Sequence, residues 1–417
     1  MISVEEAYER ILSVFKPLDP ERVSLGEALG RVLAEDIYAD VEIPPFANSA
    51  MDGYAVRSQD TVGANREIPV RLRVIGTLAA GQPPSQTLTA GTAIRIMTGA
   101  PMPSGSDAVV RFEDTSEGEK NTRMIEARRS DQVSIYHAAL PHENVRAAGE
   151  DIHAGELVLA AGTELRPAEI GVLASVGRKD CLAHRRPRVA VLATGDELVE
   201  PDEPLAPGKI RNSNAYTNAA LVEKYGGIPL PLGIARDNVP DLTAKLQRAV
   251  DLRADLILTS AGVSVGEFDV VKDVLTTLGE MNFWQVRMKP GKPLAFGHIK
   301  GIPLIGFPGN PVSSMVSFER FARPAILKMQ GKRKLRKQIV RAVLREDVGG
   351  GDRREFKRAI IERVQGVHYA RLTGDQGSGI LTSMVKANGL AIIPEGTRRL
   401  SAGQEVVVEM LDWPEEE

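Results

Sequence analysis

The chain has 417 residues, enough for about three domains at roughly 150 residues each. Hydrophobic residues make up 43% and charged residues 26%, which is ordinary globular usage and excludes a disordered or fibrous chain. The 52 Lys and Arg against 55 Asp and Glu leave a net charge of −3, which excludes bulk attraction to nucleic acid or an anionic membrane. No apolar run approaches the roughly 18 residues of a membrane span. The N-terminal Met1-Ile2-Ser3-Val4-Glu5-Glu6 lacks a signal-peptide core, and the single Cys181 excludes a disulfide framework or a cysteine-rich metal site. A soluble cytoplasmic protein is expected. Gly (39) and Pro (26) are plentiful, so many turns are expected where backbone amides meet ligands.

Residues 3–15 and 23–36 carry helical spacing, and Ser24 with Glu27 has the spacing of a capping box. The pattern breaks at Ile43-Pro44-Pro45-Phe46. From 46 to 145 short runs such as Val70–Ile75 and Ala108–Phe112 lie between Gly/Pro turns and predict a small β domain. It is inserted into a linker domain built from 1–45 and 146–180. An α/β domain is expected over 181–330. Its apolar runs at 189–193, 256–259 and 302–307 read as buried parallel strands. Helical segments alternate with them: one capped by Ser213 and ending at Gly226-Gly227, then 240–252, 269–279 and 312–330. That alternation predicts a doubly wound parallel sheet. After the basic stretch Lys332–Lys337 the chain is β-like again, giving a C-terminal β domain over 331–417. The fold class is therefore α/β and β, multidomain.

Four polar loops follow or separate the α/β strands, where ligands of such sheets bind. They are Thr194-Gly195-Asp196-Glu197-Leu198, Ser260 through Asp269, Lys289-Pro290-Gly291-Lys292-Pro293, and Pro308-Gly309-Asn310-Pro311. Gly and Ser in the second, notably Ser260, Gly262, Ser264 and Gly266, let backbone amides approach an anion. Asp196, Glu197, Glu267 and Asp269 are hard oxygen ligands for a divalent cation seated on phosphates. Lys289 and Lys292 are held close by prolines, and two such ammonium groups repel unless an anion sits between them. Each loop alone reads equally as a turn, or its acids as helix N-terminal residues. Together, at successive strand ends, they point to one site. Two further Gly-containing loops, 48–55 and 95–101, read singly as turns. The basic stretch lacks interleaved aromatics and reads as a solvated linker, with no nucleic acid bound. Cys181 and His184 have no second pair, so no zinc site is expected.

Seven motifs, in order and spacing, carry a resemblance that covers essentially the whole chain. They are N-S-A-M-D-G-Y-A (48–55), R-I-M-T-G-A-P (95–101), G-E-D-I (149–152), T-G-D-E-L (194–198), S-x-G-V-S-V-G-E-x-D (260–269), K-P-G-K-P (289–293) and P-G-N-P-V-S (308–313). The chain resembles the molybdopterin molybdenumtransferase family, which includes the C-terminal domain of gephyrin. Two departures stand out. Ala261 replaces the usual Gly, which fits only a residue outside the positive-φ region. Asp352 replaces the usual Gly before Arg353.

The resemblance implies an elongated homodimer that inserts molybdate into adenylylated molybdopterin, releasing AMP with the help of Mg²⁺. It implies a catalytic set of Asp52, Thr98, Glu197, Asp237, Asp269, Lys289 and Lys292, with Asp52 and Thr98 completing the site across the dimer. Substrate-binding residues would be Arg146, Asp151, Thr194, Gly195, Ser260, Gly262, Ser264, Gly266, Pro308, Gly309, Asn310, Pro311, Ser313, Arg353 and Ser378. Glu197, Glu267 and Asp269 would hold the metal. A tetrahedral dianion suits the Lys/Arg/Ser set. Small-molecule substrates, a handover from the molybdopterin adenylyltransferase and no membrane partner complete the expectation. The competing readings are an adenylyltransferase, a tungstate-inserting enzyme and a non-catalytic scaffold of the gephyrin type.

Overall fold

The computed structural model describes residues 1–118, 131–261 and 270–413. The chain divides into two compact units, one of Met1–Val23, Ala28–Ala34 and Leu182–Glu417, the other of Ser24–Glu27 and Glu35–Cys181. The first element is helix α1 (Val4–Ser13), where the Ser3 hydroxyl accepts from the Glu6 amide at 3.0 Å and acids fill the first turn. The helix predicted over 23–36 does not form. Leu25–Glu27 is one 3-10 turn, and Gly30 at φ +74° turns the chain away. The Ser24 hydroxyl donates to the Glu27 carboxylate at 2.9 Å instead of capping a helix.

The second unit is built on a five-stranded mixed sheet. Its strands are β1 (Gly53–Val56), β2 (Val70–Leu78), β3 (Thr92–Ile96), β4 (Ala108–Arg111) and β5 (Gln132–Ile135), in the order β4-β1-β3-β2-β5. Leu72 is buried between exposed Arg71 and Arg73, as the alternation predicts. Gly53 must be glycine, because a methyl there would lie 2.0 Å from the Val110 carbonyl oxygen across the ladder. Helix α2 (Pro167–Ser175) closes the described elements of this unit before Cys181.

The first unit carries a six-stranded sheet of β6 (Arg188–Thr194), β7 (Ile228–Ala235), β8 (Leu256–Ser260), β9 (Gly279–Gln285), β11 (Pro293–Ile299) and β12 (Ile302–Phe307). A further strand, β10 (Met288–Lys289), branches off between β9 and β11. The order is β7-β6-β8-β12-β11-β9. The first four strands are parallel, as the apolar runs predict, while β11 runs antiparallel to both β12 and β9, so the sheet is mixed at one edge. The short turn at Lys300-Gly301 explains this, since two residues join hairpin strands and cannot make a parallel crossover. The sheet is covered on both faces. Val189, Val191, Leu258 and Phe307 face a core shared with α1, α3 (Ser213–Lys224) and the helix that begins at Pro311. Ala190, Leu192 and Ile257 face α4 (Val239–Asp251) and α5 (Val270–Leu278). The cap of α3 is Asn212, accepting from the Ala215 amide at 3.2 Å, and not Ser213, which is already helical. The segment expected over 312–330 is α6 (Pro311–Ser317), a π-helical turn at Phe318–Ala322 and α7 (Arg323–Met329).

The C-terminal strands are β13 (Ile339–Leu344), β14 (Arg354–Val364), β15 (Val367–Leu372), β16 (Gly389–Ile393) and β17 (Glu405–Met410). Pairing of β14 with both β15 and β16 closes them into a ring around Leu344, Ile361, Ile393 and Val408. Strand β10 adds to the outside of β14 in parallel, with Met288 opposite Arg354 and Lys289 opposite Glu355.

The basic stretch is not wholly solvated. The Lys337 side chain is 6% exposed, its ammonium 3.3 Å from the Glu319 carboxylate and 3.0 Å from the Tyr225 hydroxyl. Its burial pushes the ammonium pKa down, while Glu319 opposes the shift. Breaking such a pair from one side strands a buried charge. Lys337→Met is therefore expected to cost about 3 kcal/mol of stability, read as a lower urea midpoint at unchanged m-value.

Candidate functional site

A cleft of about 670 Å³ opens at the carboxyl ends of β6, β8 and β12. Its walls include Thr194, Glu197, Asn212, Ser260, Ala261, Pro308–Pro311 and Gly379. The Thr194 hydroxyl donates to the Ser260 carbonyl at 3.3 Å, joining the first two loops. Gly195 has φ +144°, and a methyl on it would lie 2.3 Å from the Glu197 carboxylate. The glycine thus lets Glu197 fold back over the loop. The Asp196 amide donates to the Asp237 carboxylate at 3.3 Å, and the Asp237 amide donates to Asp196 at 3.2 Å. This reciprocal pair brings the predicted Asp237 beside the T-G-D-E-L loop. Asn214 donates to the Gly309 carbonyl at 2.7 Å, tying the fourth loop to α3.

Gly262, Ser264, Gly266, Glu267 and Asp269 lie outside the described residues. Ala261, immediately before them, has φ +73°. This corrects the expectation that a methyl there avoids the left-handed region. The Ala261 amide is held by the Phe307 carbonyl at 3.0 Å, and Gly309 opposite leaves room for its methyl. The ladder between the two strand ends imposes the conformation.

Lys289 and Arg353 come together through the pairing of β10 with β14. The Lys289 ammonium is 3.2 Å from the Glu355 carboxylate, and an Arg353 guanidinium nitrogen donates to the Met288 carbonyl at 3.0 Å. Lys292 is exposed three residues further on, and Pro293 lines the cleft, so this segment reaches its rim. Ser313 is buried at the start of α6, where the Val312 amide donates to the Ser378 carbonyl at 3.1 Å. The loop that carries Ser378 is held from below by Arg358, a 1%-exposed guanidinium that donates to the Gly377 carbonyl and the Ser383 hydroxyl, both at 3.0 Å. Glu355, Lys357, Arg358, Asn212 and Asn214 were missed by sequence reasoning. A charged residue at a buried strand position is the one signal that would have found the first and third.

Asp52, Thr98, Arg146 and Asp151 belong to the other unit. The Thr98 amide and hydroxyl both donate to one Asp52 oxygen, at 2.7 and 2.8 Å. These two bonds, the amide's first, hold the Asp52 carboxyl below its usual range, so it stays ionised. Arg146 is exposed in a short strand, Val145–Arg146, that pairs with Asn48–Ser49 of the N-S-A-M-D-G-Y-A motif. The Asp151 amide donates to the Ile43 carbonyl at 2.9 Å, leaving its exposed carboxylate outward.

The carboxylates of Asp196, Glu197 and Asp237 are the hard donor type that Mg²⁺ takes. Among the described residues, no group of three or more His, Cys, Asp or Glu is arranged to hold a metal. Cys181 is buried, and His184 lies with Nδ1 2.7 Å from the Leu18 carbonyl, a structural position. Among the described residues, no helix is long and apolar enough to cross a membrane.

Comparison with known proteins adds three family matches. Residues 2–177 match the MoeA N-terminal region (domain I and II). Residues 190–328 match the family described as "Probable molybdopterin binding domain", and 341–411 match the MoeA C-terminal region (domain IV). A Haemophilus influenzae protein named molybdopterin molybdenumtransferase is 36% identical over 416 residues, 98% of either chain. Molybdopterin molybdenumtransferase 2 of Mycobacterium tuberculosis is 39% identical over 419 residues, 98% of this chain and 99% of its own. Crystal structures of a molybdopterin biosynthesis MoeA protein from Pyrococcus horikoshii align with TM-score 0.80, at 34% and 32% identity, over 99% and 98% of this chain and all of theirs.

Two expectations follow from the geometry. In Thr98→Val the hydroxyl donor is lost, so the Asp52 carboxyl should titrate higher, moving up toward the ordinary carboxylate range; ¹³C NMR of the side chain reads this directly. The sign is that of a depressed acid: its contribution to stability is complete above the ordinary value and is lost as pH falls through the folded value. Ala261→Gly removes the left-handed strain, and the added freedom of the unfolded chain takes back part of the gain. A net stabilisation of about 0.5–1 kcal/mol is expected in thermal unfolding.

Proposed function

Since the chain belongs to the molybdopterin molybdenumtransferase family, we propose that it transfers molybdenum from molybdate into adenylylated molybdopterin with release of AMP. One observation supports this over adenylylation alone. The strand that carries Lys289, four residues before the cleft-lining Pro293, pairs with the C-terminal strand that follows Arg353. An adenylyltransferase needs the cleft but has no use for cations contributed by a further domain.

In this reading Thr194, Gly195, Ser260, Gly309 and Asn310 receive the adenylylated pterin, along with Gly262, Ser264 and Gly266. Pro308 and Pro311 stiffen the wall. Lys289, Lys292, Ser313, Arg353 and Ser378 hold molybdate, whose double negative charge their cations and hydroxyls complement. Glu197, Asp237, Glu267 and Asp269 would hold Mg²⁺, which supplies neutralising charge on the pyrophosphate and its leaving group. The dithiolene thiols displace oxo groups of molybdate, which leave as water with the thiol protons, and attack of water on the phosphoanhydride releases AMP. No protein nucleophile is assigned. The residues position two anionic substrates that repel each other, and most of the rate comes from that positioning and from electrostatics. Asp52, Thr98, Arg146 and Asp151 serve the reaction from a partner protomer in a cytoplasmic homodimer, with substrate handed over by the adenylyltransferase.

The test is AMP release from adenylylated molybdopterin at fixed Mg²⁺, with and without molybdate, in wild type and Lys289→Glu. Molybdate-dependent release in wild type, reduced about 100-fold or more by the charge reversal, is the expected result. Tungstate in place of molybdate reports the metal preference. No release by wild type that demonstrably binds the substrate leaves the scaffold reading standing.

A further inference from the structure

A lysine can meet an oxyanion either free in water or already held by a protein partner. Lys289 has one. Glu355 stands opposite it in the β10/β14 ladder and is 4% exposed. One carboxylate oxygen is 3.2 Å from the Lys289 ammonium, and the other is 2.7 Å from the Lys357 ammonium. The two lysines differ in exposure. The Lys357 side chain is 14% exposed and that of Lys289 is 53%. Lys357 alone would give the carboxylate a close, largely buried partner. The bond to Lys289 is additional, and it uses one of three ammonium donors while the rest of the group faces water.

We infer that Glu355 is a positioning residue for the oxyanion site: its fixed carboxylate aims the Lys289 ammonium and offsets part of its charge, so that molybdate shares this lysine with an internal anion. The inference rests on the proposed reading of Lys289 as a molybdate ligand. Burial alone would push the Glu355 carboxyl pKa up, but the ammonium groups of Lys357 and Lys289 bring it below the usual range, so the internal anion is ionised. Lys289, Lys357 and Glu355 together carry a net charge of one positive unit. Arg353 is fixed on the same ladder through the Met288 carbonyl. The arrangement limits indiscriminate attraction of anions and keeps Lys289 in one direction, which serves transfer more than capture.

Two variants separate charge from position. Glu355→Gln keeps the shape and removes the competing charge. Calorimetric titration of the folded variant should show molybdate and sulfate both binding roughly three- to tenfold tighter than to wild type. Its kcat for AMP release should fall about tenfold, because Lys289 is no longer aimed. Glu355→Asp keeps the charge, and with it a partner for buried Lys357, but shortens the reach. It should bind both anions as wild type does while kcat falls at least about fivefold. This variant carries the test should Glu355→Gln fail to fold. A carboxylate with a merely structural role would change melting temperatures alone. Anion affinities within twofold of wild type in folded Glu355→Gln, or an unchanged kcat in folded Glu355→Asp, would overturn the inference. Lys289→Ala is the control for the premise. Wild type that binds no molybdate, or binds it equally well without Lys289, sinks the oxyanion-site reading itself and this inference with it.

Discussion

The short parallel ladder between β10 and β14 is the interaction on which the rest of the first unit's site depends. It pairs only Met288 with Arg354 and Lys289 with Glu355. Strand β10 leaves the α/β sheet between β9 and β11 and adds to a strand of the closed C-terminal ring. The ring has its own interior, while Phe356 and Leu390 on its strands join the α/β core, and the two folds share backbone hydrogen bonds at the place where their cations converge. Strand alternation sends Arg353 and Glu355 to one side and Arg354 to the other, where it forms an ion pair with Glu5 of α1. Lys289, Arg353 and Lys357 would repel one another if nothing else were present. A buried carboxylate and a main-chain carbonyl take part of that charge.

The cleft itself follows from the winding of the sheet. From β6 the chain crosses to β7 on one side, returns to β8 on the other, then passes to the far-edge strand β9 and comes inward through β11 to β12. The loops leaving β6 and β8 thus diverge, and a crevice opens between adjacent strand ends. The strands are apolar through their length because both faces are covered, so polar groups appear where they end. Thr194 and Ser260 meet at that point. Ala261 follows in a left-handed conformation that L-residues other than glycine rarely adopt. Strain of this kind persists when its surroundings over-determine it, and here the bond from the Ala261 amide to the Phe307 carbonyl does so.

Much of this was legible in the residues. Buried strands announced themselves at 189–193, 256–259 and 302–307 as apolar runs, and the polar loops after them marked the crevice. What misled was local pattern without tertiary context. Helical spacing over 23–36 gave way to Gly30, whose positive φ no periodicity reports. The basic stretch looked solvated until Lys337 found Glu319, a partner from a helix 18 residues away in sequence. The antiparallel edge formed by β11 and β9 was hidden because neither was read as a strand, and β9, at the sheet edge, has no fully buried residue to make an apolar run. Glu355 stands only three residues after Asp352, where the sequence showed a departure from a pattern. Its meaning depended on Lys289, 66 residues earlier, lying across a ladder.

A common physical rule recurs in each unit: several of the charges proposed to act already have partners inside the chain. Asp196 and Asp237 accept from each other's amides, Asp52 from the Thr98 amide and hydroxyl, and Lys289 donates to Glu355. Those partners are neutral dipoles for the acids and an opposite charge for the lysine. The difference is physical. An exposed carboxylate at a loop tip is well hydrated, and one or two amides suffice to fix it. A cluster of cations on adjacent strands repels at short range, and hydration alone does not remove that repulsion. In the proposed function, substrate anions would enter a site whose geometry was set before they arrived. The energy they would otherwise contribute to gathering the cations stays available for the transition state.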